Sequence, residues 1–225
     1  AQSGLRGLRL VTTPHGGGGP GCGPVGVVEK LLPFLPVPMI SHNQDGYYLD
    51  YLHAETSIGK VHGFYGNFAI MVRAYVYIKM LGPVGLRRVS ENAIINANYL
   101  MKLLEDHYHI QHKDYCMHEF VADGTLQKKA HGISTLDIAK RLLDKGYHAP
   151  TIYFPLIIPE AMMFEPTETE SKQSIDAFAD AMIEIAAEIE RDPEMLHEAP
   201  LCTPVRRVDD VRAVKMLDTR FEIKD

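Results

Sequence analysis

Cysteine, positive charge and long apolar runs are all in short supply in this sequence. Only three of its 225 residues are cysteines, Cys22, Cys116 and Cys202. Their odd number, wide spacing and lack of any Cys-x-x-Cys pair argue against a disulfide framework, so reduced and mostly buried thiols are expected. Lysine and arginine number 23 against 29 acidic residues, a net charge of −6. Sequence-independent nucleic-acid binding needs a surplus of cations facing phosphates. The basic clusters here are short pairs, Arg87-Arg88, Lys128-Lys129 and Arg206-Arg207, which are expected to be solvated surface. No apolar run approaches the roughly 18 to 20 residues that span a bilayer, and residues 1–9 lack the apolar block of a signal peptide. The expectation is a cytoplasmic protein with neither a membrane nor a nucleic acid as partner.

What the sequence has in abundance, at one place, is glycine. Residues 12–27 read Thr-Thr-Pro-His-Gly-Gly-Gly-Gly-Pro-Gly-Cys-Gly-Pro-Val-Gly-Val. Four successive glycines without Cβ atoms allow close approach to their peptide groups, and successive free N–H groups can form an anion-binding concavity. Gly and Pro also punctuate ordinary loops, so the ordered string carries more information than its composition.

That string resembles the segment following the cofactor lysine in glycine dehydrogenase (decarboxylating), the P-protein family of the glycine cleavage system. The family typically reads His-Lys-Thr-Phe-Ser-Thr-Pro-His-Gly-Gly-Gly-Gly-Pro-Gly, with the lysine six residues before the histidine. Six residues before His15 stands Arg9, and the first lysine in the chain is Lys30. A guanidinium stays protonated and does not form the covalent link that amine catalysis needs. Further stretches resemble the family in order: Cys116-Met117-His118-Glu119-Phe120-Val121, Gly146-Tyr147-His148-Ala149-Pro150-Thr151, Glu165-Pro166-Thr167-Glu168-Thr169-Glu170-Ser171 and Thr203-Pro204-Val205-Arg206-Arg207. The resemblance runs from about residue 12 to about residue 211 and covers the C-terminal part of the family.

Periodicity divides the chain. Residues 1–60, rich in Gly and Pro, cannot bury a core alone; the resemblance implies a remnant of the large cofactor-binding domain. Residues 25–28 read as a short strand, 29–35 as a helical turn, and 42–46 as a turn. Residues 61–225 are expected to form a C-terminal small domain. An aromatic-rich helix over 62–80, stopped by Gly82-Pro83, precedes a second with its apolar stripe from Leu86 to Leu104. Residues 114–121 read as a strand and 122–132 as a loop. Ser134 with Asp137 looks like an N-cap, and Gly146 is a natural helix stop. Residues 151–158 and 161–164 read as strands, and Thr167 with Glu170 as the capping box of a last main helix ending near Pro193. The fold class expected is α/β (α+β), a small antiparallel or mixed sheet with helices on one face. By resemblance this is the small domain of a fold type I pyridoxal-phosphate enzyme.

The resemblance implies glycine decarboxylation on pyridoxal phosphate with aminomethyl transfer to the lipoyl H-protein. Thr13, His15, Gly16 and Gly17 would then line the cofactor site, with His148 as a further candidate. With Arg9 in place of the Schiff-base lysine, pyridoxal phosphate is not expected to be held covalently, and activity would require an N-terminal P-protein part. The alternative is a non-catalytic structural or interaction module that oligomerises through its N-terminal arm. A homo-oligomer, a dimer, is expected because residues 25–28 read as an edge strand without sheet neighbours. No metal is expected: the spacing of His107, His109 and His112, even with Cys116 and His118, suits neither one helix face nor a zinc finger. Glu165, Glu168 and Glu170 are explained by the positive end of the following helix.

Overall fold

The structure is a computed structural model that describes residues 25–63 and 65–220, together with the backbone of residues 5–7. Thr13, His15, Gly16, Gly17 and Arg9 lie outside the described residues. The chain groups into two compact units, Ala1–Leu86 and Arg87–Asp225. The boundary between these units lies after Leu86, whereas the boundary read from the sequence lies after residue 60.

In the first unit, β1 (Leu5–Gly7) pairs antiparallel with β2 (Val25–Val27). Residues 25–27 thus have one sheet neighbour from their own chain, which corrects the expectation of an unpaired strand. The expected helical turn is a 3-10 helix at Glu29–Phe34. It is followed by a hairpin, β3 (Met39–Asn43) and β4 (Gly46–Asp50). The turn signal was legible because Gly46 sits at φ 118, open to glycine, while the Asn43 side chain accepts from the Asp45 N–H at 2.9 Å. The strands on either side were not read from the sequence. Ile40 faces Leu49 and His42 faces Tyr47 across the ladder, and Ser41 donates to Asp50 at 2.9 Å.

Helix α1 (Phe68–Leu104) starts six residues later than expected, after Asn67, whose side chain accepts from the Ile70 N–H. Gly82 interrupts it at φ 61, ψ −176, with Pro83 following, so the expected stop is a break between two straight halves. By composition α1 holds an 18-residue window of mean hydropathy 1.3, long and apolar enough to cross a membrane, which corrects the expectation that no such stretch exists. The break matters here: residues 68–81 make about 21 Å of straight helix at 1.5 Å per residue, short of the roughly 30 Å hydrocarbon core.

The second unit holds a three-stranded antiparallel sheet, β5 (Phe120–Asp123), β6 (Thr151–Ile152) and β7 (Ala161–Phe164), in the order β5-β7-β6. The sheet is antiparallel, as one of the two expectations had it. Its register sets Phe120 opposite Phe164 and Ala122 opposite Met162. These four join one core with Leu100, Met101 and Leu104 of α1, Ile138 and Leu142 of α3 (Thr135–Asp144), and Ile175, Met182, Ile185 and Ile189 of α4 (Lys172–Arg191). The period-3.6 stripes read from the sequence are those that face this core.

Several boundaries moved. The first strand runs to Asp123 and is followed by α2 (Thr125–His131), where a strand ending at 121 and a loop were expected. Asp123 explains the turn: its carboxylate accepts from the Thr125 N–H and hydroxyl and sits 2.6 Å from His109 Nδ1. The capping box at Ser134 and Asp137 is present in both directions. The expected box at Thr167 and Glu170 is not: α4 begins at Lys172, and Ser171 caps it by accepting from the Ser174 N–H at 3.1 Å. The strand expected over 151–158 lasts two residues, since Tyr153 takes φ 58 and its N–H turns back to the Ala161 carbonyl. Two short helices, α5 (Pro193–Glu198) and α6 (Asp210–Lys215), were not read from the sequence.

Side chains rather than ladders tie the irregular segments down. Asn98 brackets one peptide position: its Nδ2 donates to the Cys116 carbonyl at 2.7 Å and its Oδ1 accepts from the Cys116 N–H at 3.0 Å. Arg141 grips Glu188 with two bonds of 2.8 Å, and Lys145 adds a third at 3.0 Å. Asp144 accepts from the N–H groups of Leu201 and Cys202, and Arg207 reaches Asp137 at 2.6 Å, so the segment after α5 is strapped to α3 at both ends.

Candidate functional site

Within the second unit, the end of α3, the end of β7 and the start of α4 enclose a cleft of about 380 Å³. One wall follows from how α3 stops. Gly146 is left-handed at φ 81, its N–H donates to Leu143 and that of Tyr147 to Leu142, the paired bonds of a Schellman motif. The reversal sets Tyr147 edge-on to Phe178 at 5.2 Å and leaves His148 exposed at the rim. The opposite wall is the chain leaving β7, where Phe164 meets Phe178 at 5.9 Å and Glu165, Pro166 and Thr167 continue along the edge. Leu100 and Ile175 line it as well.

Asn96 holds that edge in place. Its Nδ2 donates to the carbonyls of Thr167 at 2.8 Å and Glu170 at 3.2 Å, fixing a loop that has no ladder of its own. Residues of this kind were missed in the sequence. Their signal is faint: an asparagine on the flank of an apolar helical stripe, able to offer two donors and an acceptor to passing backbone.

The charge around the cleft has one sign. Glu165 and Glu170 line it, no lysine or arginine among the described residues does, and His118 Nε2 stands 3.8 Å from Glu165 Oε1. A pyridoxal phosphate group would bring a phosphate that needs cations or clustered N–H donors. Among the described residues, two carboxylates and an aromatic wall line the cleft, and these do not fit a phosphate. Of the residues implied by resemblance, the structure places His148 on the cleft; Thr13, His15, Gly16 and Gly17 are not among the described residues.

The remaining titratable clusters hold the fold together. Among the described residues no group of three or more His, Cys, Asp or Glu is arranged to hold a metal. His109 is engaged with Asp123, and His107 offers its carbonyl to the Gln127 amide at 2.9 Å. Burial pushes the Cys116 thiol up, away from the reactive thiolate. Burial also pushes against ionised Asp137, but bonds from Ser134 and Arg207 outweigh it and hold the carboxyl below its usual range. Asp144 is held low in the same way, by the N–H groups of Cys202 and Leu201 and by Arg141, against the effect of burial. For Glu188 the Arg141 guanidinium is the main cause of a lowered value. The carboxyl shifts each have a structural partner and the Cys116 shift comes from burial, so none of them points to a catalytic acid or base.

Residues 89–199 match the family described as glycine dehydrogenase, C-terminal domain. The chain is 61% identical over 210 residues to the probable glycine dehydrogenase (decarboxylating) subunit 2 of Pelodictyon phaeoclathratiforme (strain DSM 5477 / BU-1), covering 93% of this chain and 43% of that protein. It is 54% identical over 216 residues to the corresponding probable subunit 2 of Shouchella clausii (strain KSM-K16), covering 96% of this chain and 44% of that one. It therefore spans less than half the length of these curated relatives. Among solved structures, a crystal structure of glycine decarboxylase (P-protein) of the glycine cleavage system, in inhibitor-bound form, superposes with a TM-score of 0.61 at 21% identity. The match covers 76% of this chain and 40% of that one, and supports the fold alone. The chain belongs to the glycine dehydrogenase (decarboxylating) family, subunit 2 type, and corresponds to its C-terminal part.

Proposed function

We propose that this chain serves glycine decarboxylation as the C-terminal part of a P-protein, a fold type I enzyme that works on pyridoxal phosphate and passes the aminomethyl group to the lipoyl H-protein. The observation that carries the reading is the identity of 61% with a subunit 2 relative over 93% of the chain. When bound, the cofactor supplies the electron sink for the decarboxylation. In this reading residues 1–60 go with the cofactor-binding part, 61–225 form the small domain, and the protein is cytoplasmic. Thr13, His15, Gly16 and Gly17 approach the cofactor, with His148 as a further candidate; the carboxylates beside His148 keep the phosphate itself away from that cleft. With Arg9 where the family carries its lysine, the chain is inactive alone and holds no cofactor covalently.

Borohydride reduction of the chain with pyridoxal phosphate, followed by intact-mass measurement, tests this. The expected result is no stoichiometric adduct, with exchange of the glycine carboxyl group with carbon dioxide appearing once the lysine-bearing N-terminal part of the Pelodictyon subunit is joined to the chain. One adduct at a single site, such as exposed Lys30 or Lys60, would overturn the non-covalent part. Failure of exchange in the joined protein would favour the second reading, a non-catalytic module that dimerises through its arm. The open apolar surface of the first unit is the observation in favour of that module.

A further inference from the structure

The cleft of the second unit pairs an apolar interior with an acidic rim. Its inner surface is made by the rings of Tyr147, Phe164 and Phe178 together with Leu100, Met163 and Ile175. Glu165 and Glu170 border it, both exposed, and no lysine or arginine among the described residues does. The two carboxylates stand there for different reasons. Glu170 is next to Ser171, the N-cap of α4, where the positive end of a helix favours an anion. Glu165 lies ahead of that cap by more than a helical turn, and the dipole fades within about one turn, so α4 does not account for it. His118 stands 3.8 Å from Glu165, too far for a hydrogen bond, which leaves the carboxylate open to a ligand.

We propose that this cleft binds a small organic amine in its cationic form, with an aromatic or branched aliphatic body seated among the three rings and the ammonium at the Glu165 and Glu170 rim. Charge complementarity selects the cation, and the rings favour it too, because an aromatic face is electron-rich and takes an apolar body as readily as a positive charge. The same arrangement rejects the alternatives. A phosphate or a free amino acid would set an anion against two carboxylates with no cation among the described residues to receive it, so glycine itself is not the ligand of this cleft. A lysine side chain of a partner protein carries the right charge on a flexible, unbranched stem, which leaves the space between three rings unfilled. A cleft of about 380 Å³ lies within the range of small-molecule sites, roughly 300 to 1,000 Å³. The net charge of −6 draws such a cation in from solution. Binding of this kind needs neither the cofactor nor catalysis, so it holds or fails separately from the decarboxylation reading.

Phenethylammonium chloride titrated into the full 225-residue chain at neutral pH, followed by amide and methyl NMR shifts, is the test. The shifts are expected to concentrate on Leu100, Ala149, Met163, Thr167 and Ile175, with a Kd on the order of 1 mM. Phenethyl alcohol, the same body without the charge, should bind about 10-fold more weakly. The double variant Glu165→Gln with Glu170→Gln should bring the amine down to the level of the alcohol. Both positions are exposed, and the dispersion of the same spectra checks that the variant folds. Glu194→Gln on α5, outside the cleft lining, should leave binding unchanged. Equal binding of amine and alcohol, or undiminished amine binding in the double variant, would overturn the proposal. So would shifts at the same residues from glycine or from inorganic phosphate. If acetyl-Gly-Lys-Gly-amide shifts these residues and phenethylammonium does not, the cleft is a dock for a protein partner and the small-amine site is lost.

Discussion

Both units of this chain carry an apolar stripe on their helices, and the stripes meet opposite fates. In the second unit, residues such as Leu104, Ile138, Leu142, Met182 and Ile185 are fully buried in one core. In the first, the helical stripe from Phe68 to Val76 lies open. The difference teaches that periodicity specifies which side of an element wants cover, without saying which molecule provides it. A stripe is a statement about solvent, and the second unit answers it internally.

Three measurements probe the contrast. The largest effect is expected at Arg141, whose side chain is 12% exposed over a Glu188 carboxylate at 4%. Arg141→Ala leaves that carboxylate buried with Lys145 as its remaining cation, and a loss of about 3 to 5 kcal/mol is expected in urea unfolding of the second unit. A loss below about 1 kcal/mol would mean the pair contributes as weakly as a surface bridge.

Acid should act on the same unit. Asp137, Asp144, Glu160 and Glu188 are all held below the usual carboxyl range in the folded state. As pH falls, the unfolded chain takes up protons first. The stability these groups contribute is present above the ordinary carboxyl value of about 4 and drains away as pH drops below it, through the lowered folded values. Near-UV circular dichroism should report loss of packing around buried Tyr108 and Phe120 in that window. Full retention at pH 2 would show the four carboxyls to be energetically idle. The smallest effect belongs to the first unit: Tyr75→Ala in the chain alone should change stability by no more than about 0.5 kcal/mol. A cost comparable with a core deletion, about 2 to 5 kcal/mol, would show that the stripe is already covered.

Local chemistry made much of this legible. The Ser134 and Asp137 cap, the left-handed Gly146 and the break at Gly82-Pro83 rest on rules within four residues, and all three stand as read. The start of α4 was misplaced because Thr167 and Glu170 carry capping chemistry while their carbonyls are used by Asn96, 71 and 74 residues away. The brief β6 was overread for a similar reason, since β-branched residues at 151–158 do not reveal a left-handed Tyr153. His148 was singled out in the sequence through its Gly-Tyr-His turn, while the cleft it borders was not read. That cleft depends on Phe178 of α4 meeting both Phe164 of β7 and Tyr147 of the turn after α3. Such convergence belongs to packing and has no local spelling.

Asn98 shows how such a chain can drift without losing its shape. Besides a bond from its Nδ2 to the Ile94 carbonyl within its own helix, both of its long-range bonds go to the backbone of residue 116 and neither to the cysteine side chain. The link is therefore blind to the identity of residue 116, which is free to vary in sequence as long as it does not outgrow its half-buried place. Asn98 has no such latitude. Aspartate has no amide donor to offer the carbonyl and leucine has neither group, so the two ends of one contact are under unequal constraint. Variation should accumulate at the end that is held and be resisted at the end that holds.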